Sequence, residues 1–257
     1  YGTNLRDTAG VLALATEAGS AVIDPVSYSN RLSRAGGRLS TQESAWTLLA
    51  AQALIKSPEQ SGLRVNGAPL NGPFVQVLED SETLAGMQIT SADGRSTDIT
   101  LTTMGVPTVA PAAGGTGYSI ERRYYDMNGV PIERRVFTVG DRFVTVLTVT
   151  PFENYGARLM IDDPLPAGIE IDNPTLLRSG DVGGLDWLKP TFAEHSEFRS
   201  DRFLAAVDIT NAKVVTLAYV ARAVTPGQFH QPAASVEDMY RPRNRARTAT
   251  GRVFVTK

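Results

Sequence analysis

The feature that most constrains this chain is a change of texture at Pro58. Before it, apolar residues recur at helical spacing. After it, they come in short alternating runs cut by Gly, Pro, Asn and Asp. Two periodicities in succession along 257 residues predict a multidomain α + β protein, a short helical segment followed by antiparallel β-sandwich domains.

The helical stretch divides by its punctuation. Leu5, Ala9, Leu12, Ala13 and Thr16 lie near helical spacing, and Gly19 is placed to end that run. Asp24 before Pro25 is an N-cap followed by a first-turn proline, with Tyr28 and Leu32 on one face and Gly36-Gly37 as the stop. Ser40-Thr41-Gln42-Glu43 has the capping-box pattern, Ser40 accepting from the Glu43 amide while the Glu43 carboxylate reaches back. The third helix then carries Trp46, Leu49, Ala50, Ala53 and Leu54 as its apolar stripe, and Pro58 stops it. Three such helices bury too little to stand alone and read as the tail of a larger helical domain.

Beyond Pro58, Asn66-Gly67 and Asp93-Gly94 are hairpin-turn dipeptides, and 74–78 and 98–102 read as strands. The small, Gly-rich stretch 110–117 reads as a linker or strand-bridging loop. Strands are then expected at 118–126, 134–138, 142–150, 157–162, 203–209, 213–224 and 251–256, with turns at Asn128-Gly129 and Gly140-Asp141. That count and spacing suit a sandwich of immunoglobulin-like size. Within 213–224, Val215, Leu217, Tyr219 and Ala221 share one face, as in a core strand.

Composition narrows the function classes. A net charge of -2 leaves no electrostatic footprint for nucleic acid. Arg241, Arg243, Arg245 and Arg247 alternate with other residues and read as the solvated face of an edge strand. The absence of cysteine excludes disulfides, thiolate chemistry and Cys-based metal sites. No run approaches the roughly 18 apolar residues of a membrane span. The chain starts at Tyr1 without a leader, which suggests a fragment whose targeting segment, if any, lies upstream.

Nothing in the residues requires catalysis, so the expectation is a non-enzymatic scaffold without cofactor or metal. His195, in Glu194-His195-Ser196-Glu197, is expected on an exposed loop, because triad members converge from separated positions rather than from neighbours. His230 is expected at a strand end on the surface. Asp162-Asp163 before Pro164 could ligate a cation but reads as a solvated pair at a turn. No H-E-x-x-H, EF-hand loop, G-x-S-x-G elbow or P-loop occurs, and Gly114-Gly115-Thr116-Gly117 lacks the strand-to-helix setting of a phosphate cradle. Trp46 and Trp187 are too far apart in sequence to suggest an aromatic platform.

Several segments together resemble the C-terminal third of bacterial alpha-2-macroglobulins. Residues 1–9, Tyr1-Gly2-Thr3-Asn4-Leu5-Arg6-Asp7-Thr8-Ala9, resemble the repeated helix openings of that family's thioester domain, an α/α toroid, and 39–46, Leu39-Ser40-Thr41-Gln42-Glu43-Ser44-Ala45-Trp46, resemble the last helix pair of that toroid. Glu121-Arg122-Arg123-Tyr124-Tyr125-Asp126 and Asp162-Asp163-Pro164-Leu165-Pro166-Ala167-Gly168 resemble its final macroglobulin-like domain. The most specific segment is Val236-Glu237-Asp238-Met239-Tyr240-Arg241-Pro242.

The resemblance implies that residues 1–57 close the toroid, 58–113 form the returning half of a CUB-like β domain, and 114–257 form the C-terminal sandwich. It further implies a broad-spectrum endopeptidase inhibitor, periplasmic and anchored to the inner membrane as a lipoprotein, that traps proteases after bait-region cleavage. Any bait or Cys-Gln thioester would lie upstream of Tyr1. The implied partners are target proteases through the full-length protein, and cell-envelope proteins, with no nucleic acid and no membrane contact by this stretch itself. Met239 and Tyr240 are the candidate interdomain contact, since an aromatic with a polar tip suits a partly wet interface. The structural alternative is that Tyr240 simply pins the loop between the last strands. The rival function is an Ig-like adhesin or cell-envelope binding module. A carbohydrate- or peptide-binding accessory domain finds little support in 7% aromatics without clustering.

Overall fold

The computed structural model describes residues 3–35, 38–54, 62–70, 77–78, 86–92, 94, 105–172, 182 and 185–257. The chain divides into two compact units, Tyr1–Val106 and Pro107–Lys257.

In the first unit, α1 (Asn4–Glu17), α2 (Pro25–Ser33) and α3 (Thr41–Leu54) follow the caps written in the sequence. The Asp24 carboxylate accepts from the amides of Val26 and Ser27, the first donors of α2 that no helical carbonyl can reach. The capping box closes as expected, Ser40 N donating to Glu43 Oε2 at 2.8 Å and Glu43 N to Ser40 Oγ at 3.3 Å. The Glu43 carboxylate also accepts from the Thr3 hydroxyl at 2.8 Å, and Thr3 itself caps α1. One acid therefore ties together the starts of two helices.

Ala9, Leu12, Ala13 and Ala50 are buried against Ile23, Tyr28, Leu32 and Trp46. The expected stripe of α3 is corrected in part. Ala50 and Ala53 are buried, but Leu49 and Leu54 are exposed, because the small α1–α3 seam reaches only the alanine side of the stripe. The stops at Gly36-Gly37 and Pro58 lie outside the described residues.

β1 (Leu63–Val65), β2 (Ala68–Pro69) and β3 (Ile89–Ser91) form a small antiparallel sheet in the order β2-β1-β3. Asn66 and Gly67 both take positive φ, 49° and 84°, between the paired Val65 and Ala68. This is the two-residue hairpin that an Asn-Gly dipeptide favours. The expected strand at 98–102, most of that at 74–78, and Asp93 lie outside the described residues.

The second unit holds β4 (Gly114–Thr116), β5 (Tyr118–Tyr125), β6 (Val136–Thr138), β7 (Arg142–Pro151), β8 (Ala157–Pro164), β9 (Ile169–Ile171), β10 (His195–Phe198), β11 (Arg202–Ile209), β12 (Val215–Ala223), β13 (Gly227–Gln231), β14 (Ser235–Asp238), β15 (Arg245–Arg247) and β16 (Gly251–Thr256). A six-stranded sheet, β10-β11-β8-β14-β15-β4, shares one core with a four-stranded sheet, β5-β7-β12-β9, and a three-stranded one, β13-β16-β6. Among the described residues of this unit, pairing is antiparallel except between β16 and β6, which run parallel. Alternate residues of β5, β8 and β11 point into this core, including Tyr118, Ile120, Leu159, Ile161, Phe203 and Val207.

β12 goes further than its expected single apolar face. Val215, Leu217, Tyr219 and Ala221 face the main core, and Ala218 on the other side is buried with Val144 and Val146 beneath Trp187 and Leu188. Trp187 lies against Tyr125 at 5.2 Å between ring centroids and donates its indole N–H to Met127 O at 3.3 Å.

Three expectations are corrected. Gly114–Thr116 is an edge strand on β15, not a linker, because glycine allows a very close approach there. A Cβ on Gly115 would fall 2.4 Å from Tyr118 O and 2.5 Å from Ala246 Cβ. β15 is consequently not an edge strand, since β4 lies outside it, and Ala246 between the half-exposed Arg245 and Arg247 is buried. His195 is exposed, but in edge strand β10 rather than a loop, with Nε2 3.3 Å from Glu197 Oε1.

Candidate interaction turn and the polar core

Met239 and Tyr240 occupy the turn between β14 and β15, 45% and 51% exposed. The residue beneath them is Asp238, which is fully buried. Its Oδ1 accepts from the amides of Tyr240 at 3.0 Å and Arg241 at 3.2 Å, and its Oδ2 from Arg241 Nε at 2.7 Å. A short-chain acid at the start of a turn captures the next amides in this way, and ionisation strengthens each bond. The turn closes through Asn244 N to Arg241 O at 2.7 Å and Asp238 N to Asn244 O at 3.0 Å, while Met239 N donates to Arg158 O of β8 at 2.9 Å. Arg158 is ion-paired with Glu194. Glu194 first, and the Tyr240 hydroxyl after it, hold the Arg158 guanidinium above its ordinary value. The turn thus presents a thioether and a phenol on a backbone held from below.

The Asp162-Asp163 pair proves to be neither at a turn nor a solvated pair. Both residues lie in β8, where alternation sends them to opposite faces. Asp162 is half-buried and faces Arg202 at 3.2 Å. Asp163 is fully buried, paired with the equally enclosed Arg122 of β5, and accepts from the Tyr219 hydroxyl at 2.8 Å. Arg122 Nη2 donates to Pro232 O at 2.7 Å. The network orients Gln231 so that its amide oxygen accepts from Arg122 at 3.0 and 3.1 Å and its nitrogen donates to Tyr124 Oη at 2.8 Å.

Burial holds the Asp163 carboxyl above its ordinary value, and Arg122 and the Tyr219 hydroxyl offset only part of that rise. Burial also works against the Arg122 charge, but Asp163 beside it leaves it above its ordinary value. The Tyr124 and Tyr219 hydroxyls are both raised, chiefly by burial. This cluster joins the three sheets of the second unit through Arg122, Tyr124 and Tyr219, Asp163, and Gln231. The sequence reading missed it, although Arg122 follows Ile120 and precedes Tyr124 in the inward phase of β5.

With Asp163 engaged by Arg122 and Tyr219, it is not available to a cation. Among the described residues no three His, Asp or Glu side chains gather as metal ligands. Also among them, no helix is long and apolar enough to cross a membrane. His230 lies in β13, one residue before the strand ends, and is exposed.

A family model, the bacterial alpha-2-macroglobulin MG10 domain, matches residues 117–243, a span that contains both the Arg122–Asp163 pair and the Met239–Tyr240 turn. An alpha-2-macroglobulin of Escherichia coli K12 is 31% identical over an alignment of 272 positions that covers 100% of the chain. The chain belongs to the bacterial alpha-2-macroglobulin family. It spans 16% of the length of that Escherichia coli relative. The crystal structure of native Escherichia coli alpha-2-macroglobulin from domain MG7 to the C-terminus is similar over 100% of this chain and 43% of its own, with a TM-score of 0.76 at 29% identity. The Escherichia coli protein activated by porcine elastase is similar over 100% of this chain and 24% of its own, with a TM-score of 0.53 at 31% identity. Of the segments singled out in the sequence, 121–126, 162–168 and 236–242 fall inside the MG10 match, and 1–9 and 39–46 lie outside it.

Proposed function

We propose that this chain is the structural and switching end of a protease trap and performs no catalysis itself. The observation that carries the reading is the exposed Met239–Tyr240 pair on a turn anchored by the buried Asp238, within the MG10 match. A relative that a protease, porcine elastase, activates supports a change of state triggered by cleavage. In this reading residues 1–57 close a thioester-type toroid, 58–113 return a CUB-like domain, and 114–257 form the sandwich. The sandwich packs on the toroid through Met239 and Tyr240 and holds the resting state, because switching by domain repacking needs an interface with two arrangements. In the same reading the full-length protein works in the periplasm on a lipid anchor, with proteases as its targets.

The test is incubation of the full-length protein with several endopeptidases, followed by assays on large and small substrates. A trap shields large substrates while small ones are still cut; equal loss of both, or of neither, would sink the reading. Replacing Tyr240→Ala tests the contact. In this reading the switched state is more compact than the resting one, so without Tyr240 resting molecules should convert more readily to the compact form, and unchanged switching would remove Tyr240 from the role.

A further inference from the structure

We propose that Arg241 is a positioning residue that presets the Met239–Tyr240 contact, acting with Asp238 and Tyr155; this rests on the interdomain reading above. Arg241 is engaged on three sides. Nε donates to Asp238 Oδ2 at 2.7 Å, Nη2 donates to Gly156 O at 2.6 Å, and the guanidinium lies 3.9 Å over the Tyr155 ring. Tyr155 is fixed in turn by Asn244, whose Nδ2 donates to its hydroxyl at 2.6 Å. The guanidinium therefore bolts the β14–β15 turn to the loop joining β7 and β8. The Asp238 carboxylate it holds is the same one that accepts from the Tyr240 amide.

Closing a hairpin needs less than this. A turn that merely reverses the chain is served by backbone bonds and an Asx residue. Here a fully buried carboxylate, a stacked guanidinium and a tyrosine are committed beneath two side chains that contribute little to the core. That investment makes sense if the tip must be rigid before it meets its partner, since ordering a tip during docking weakens the contact. Lysine could not replace the arginine, because it has neither a planar face for Tyr155 nor a fork spanning Asp238 and Gly156.

The experiment is a double-mutant cycle in the full-length protein between Arg241→Lys and Tyr240→Ala. It reads the rate of spontaneous conversion to the compact form on native gels, and the melting temperature. With Tyr240 present, Arg241→Lys should speed conversion on the order of ten-fold, the loss of about one charge-assisted hydrogen bond. In the Tyr240→Ala background it should add nothing to conversion, while lowering the melting temperature by the same amount in both backgrounds. Tyr155→Phe keeps the ring under the guanidinium but loses the Asn244 bond to its hydroxyl, so it should convert at a rate between those of the natural protein and Arg241→Lys, and Tyr155→Leu should resemble Arg241→Lys. If Tyr240→Ala speeds conversion but Arg241→Lys does not, or the two effects simply add, the positioning role is overturned and the interdomain reading stands. If Tyr240→Ala itself changes nothing, the interdomain reading falls and the positioning role falls with it.

Discussion

Replacing Asp163→Ala probes the centre of the sandwich. The substitution removes the acceptor for two buried donors at once, the guanidinium of Arg122, whose side chain is 3% exposed, and the Tyr219 hydroxyl. The pair itself is weak evidence for stability, because taking two charges out of water offsets most of their attraction. Breaking it is different, since Arg122 stays charged and is then buried with no opposite charge, only the Pro232 and Gln231 oxygens. Loss of one partner of such a pair costs about 3–5 kcal/mol.

For a unit of this size each kcal/mol moves the melting temperature by roughly 2–4 °C, so the expected drop is roughly 6–20 °C. The assay is thermal and urea unfolding followed by circular dichroism, reading the transition of the β unit. The decisive companion is Arg122→Met combined with Asp163→Leu, which removes both charges and fills their space. It should recover more than half of the lost stability, leaving a residual loss from Tyr219 and the Pro232 carbonyl. A loss below about 1 kcal/mol for Asp163→Ala would mean that the site behaves like a solvated pair. A double variant no better than the single one would refute the claim that the unpaired charge dominates.

Three further outcomes are expected. Gly115→Val should push β4 off β15, since the added Cβ meets Tyr118 O, Ala246 Cβ and the Arg245 carbonyl; a loss of about 1–3 kcal/mol with faster amide exchange at Ala246 checks it, and unchanged exchange would count against the close approach. Trp187→Ala should uncover Val144, Val146 and Ala218, cost about 2–4 kcal/mol in urea melts and raise binding of an apolar dye. Glu43→Ala removes the acceptor shared by Ser40 N and the Thr3 hydroxyl, so it should lower helicity and cost about 1–2 kcal/mol in the helical unit, more than Gln42→Ala at the exposed neighbouring position.

The parts legible in the sequence were those set by nearby residues. Asp24-Pro25, the Ser40–Glu43 box and Asn66-Gly67 each satisfy backbone groups within a few residues, so the local string suffices. The long strands β5, β7, β8, β11 and β12 show their alternation over enough residues to be seen. The short ones β9, β10, β13, β14 and β15 do not, since three to five residues hold too few alternations and their bonding comes from distant partners. At the candidate turn, Met239 and Tyr240 stood out in the family-like segment. The roles of Asp238, Arg241 and Tyr155 did not, because Tyr155 and Gly156 approach from another loop.

By itself, then, the sequence determined the succession of helices and strands, the caps and hairpin that bound several of them, and membership of a family whose segments recur in order. The tertiary structure alone decided that two adjacent aspartates have opposite fates, Asp163 buried on Arg122 and Asp162 half-buried beside Arg202. It also decided that a glycine stretch with the composition of a linker pairs as a strand. Periodicity reports which way a side chain points, but the charge, ring or carbonyl waiting there comes from residues far along the chain, and only packing brings them together.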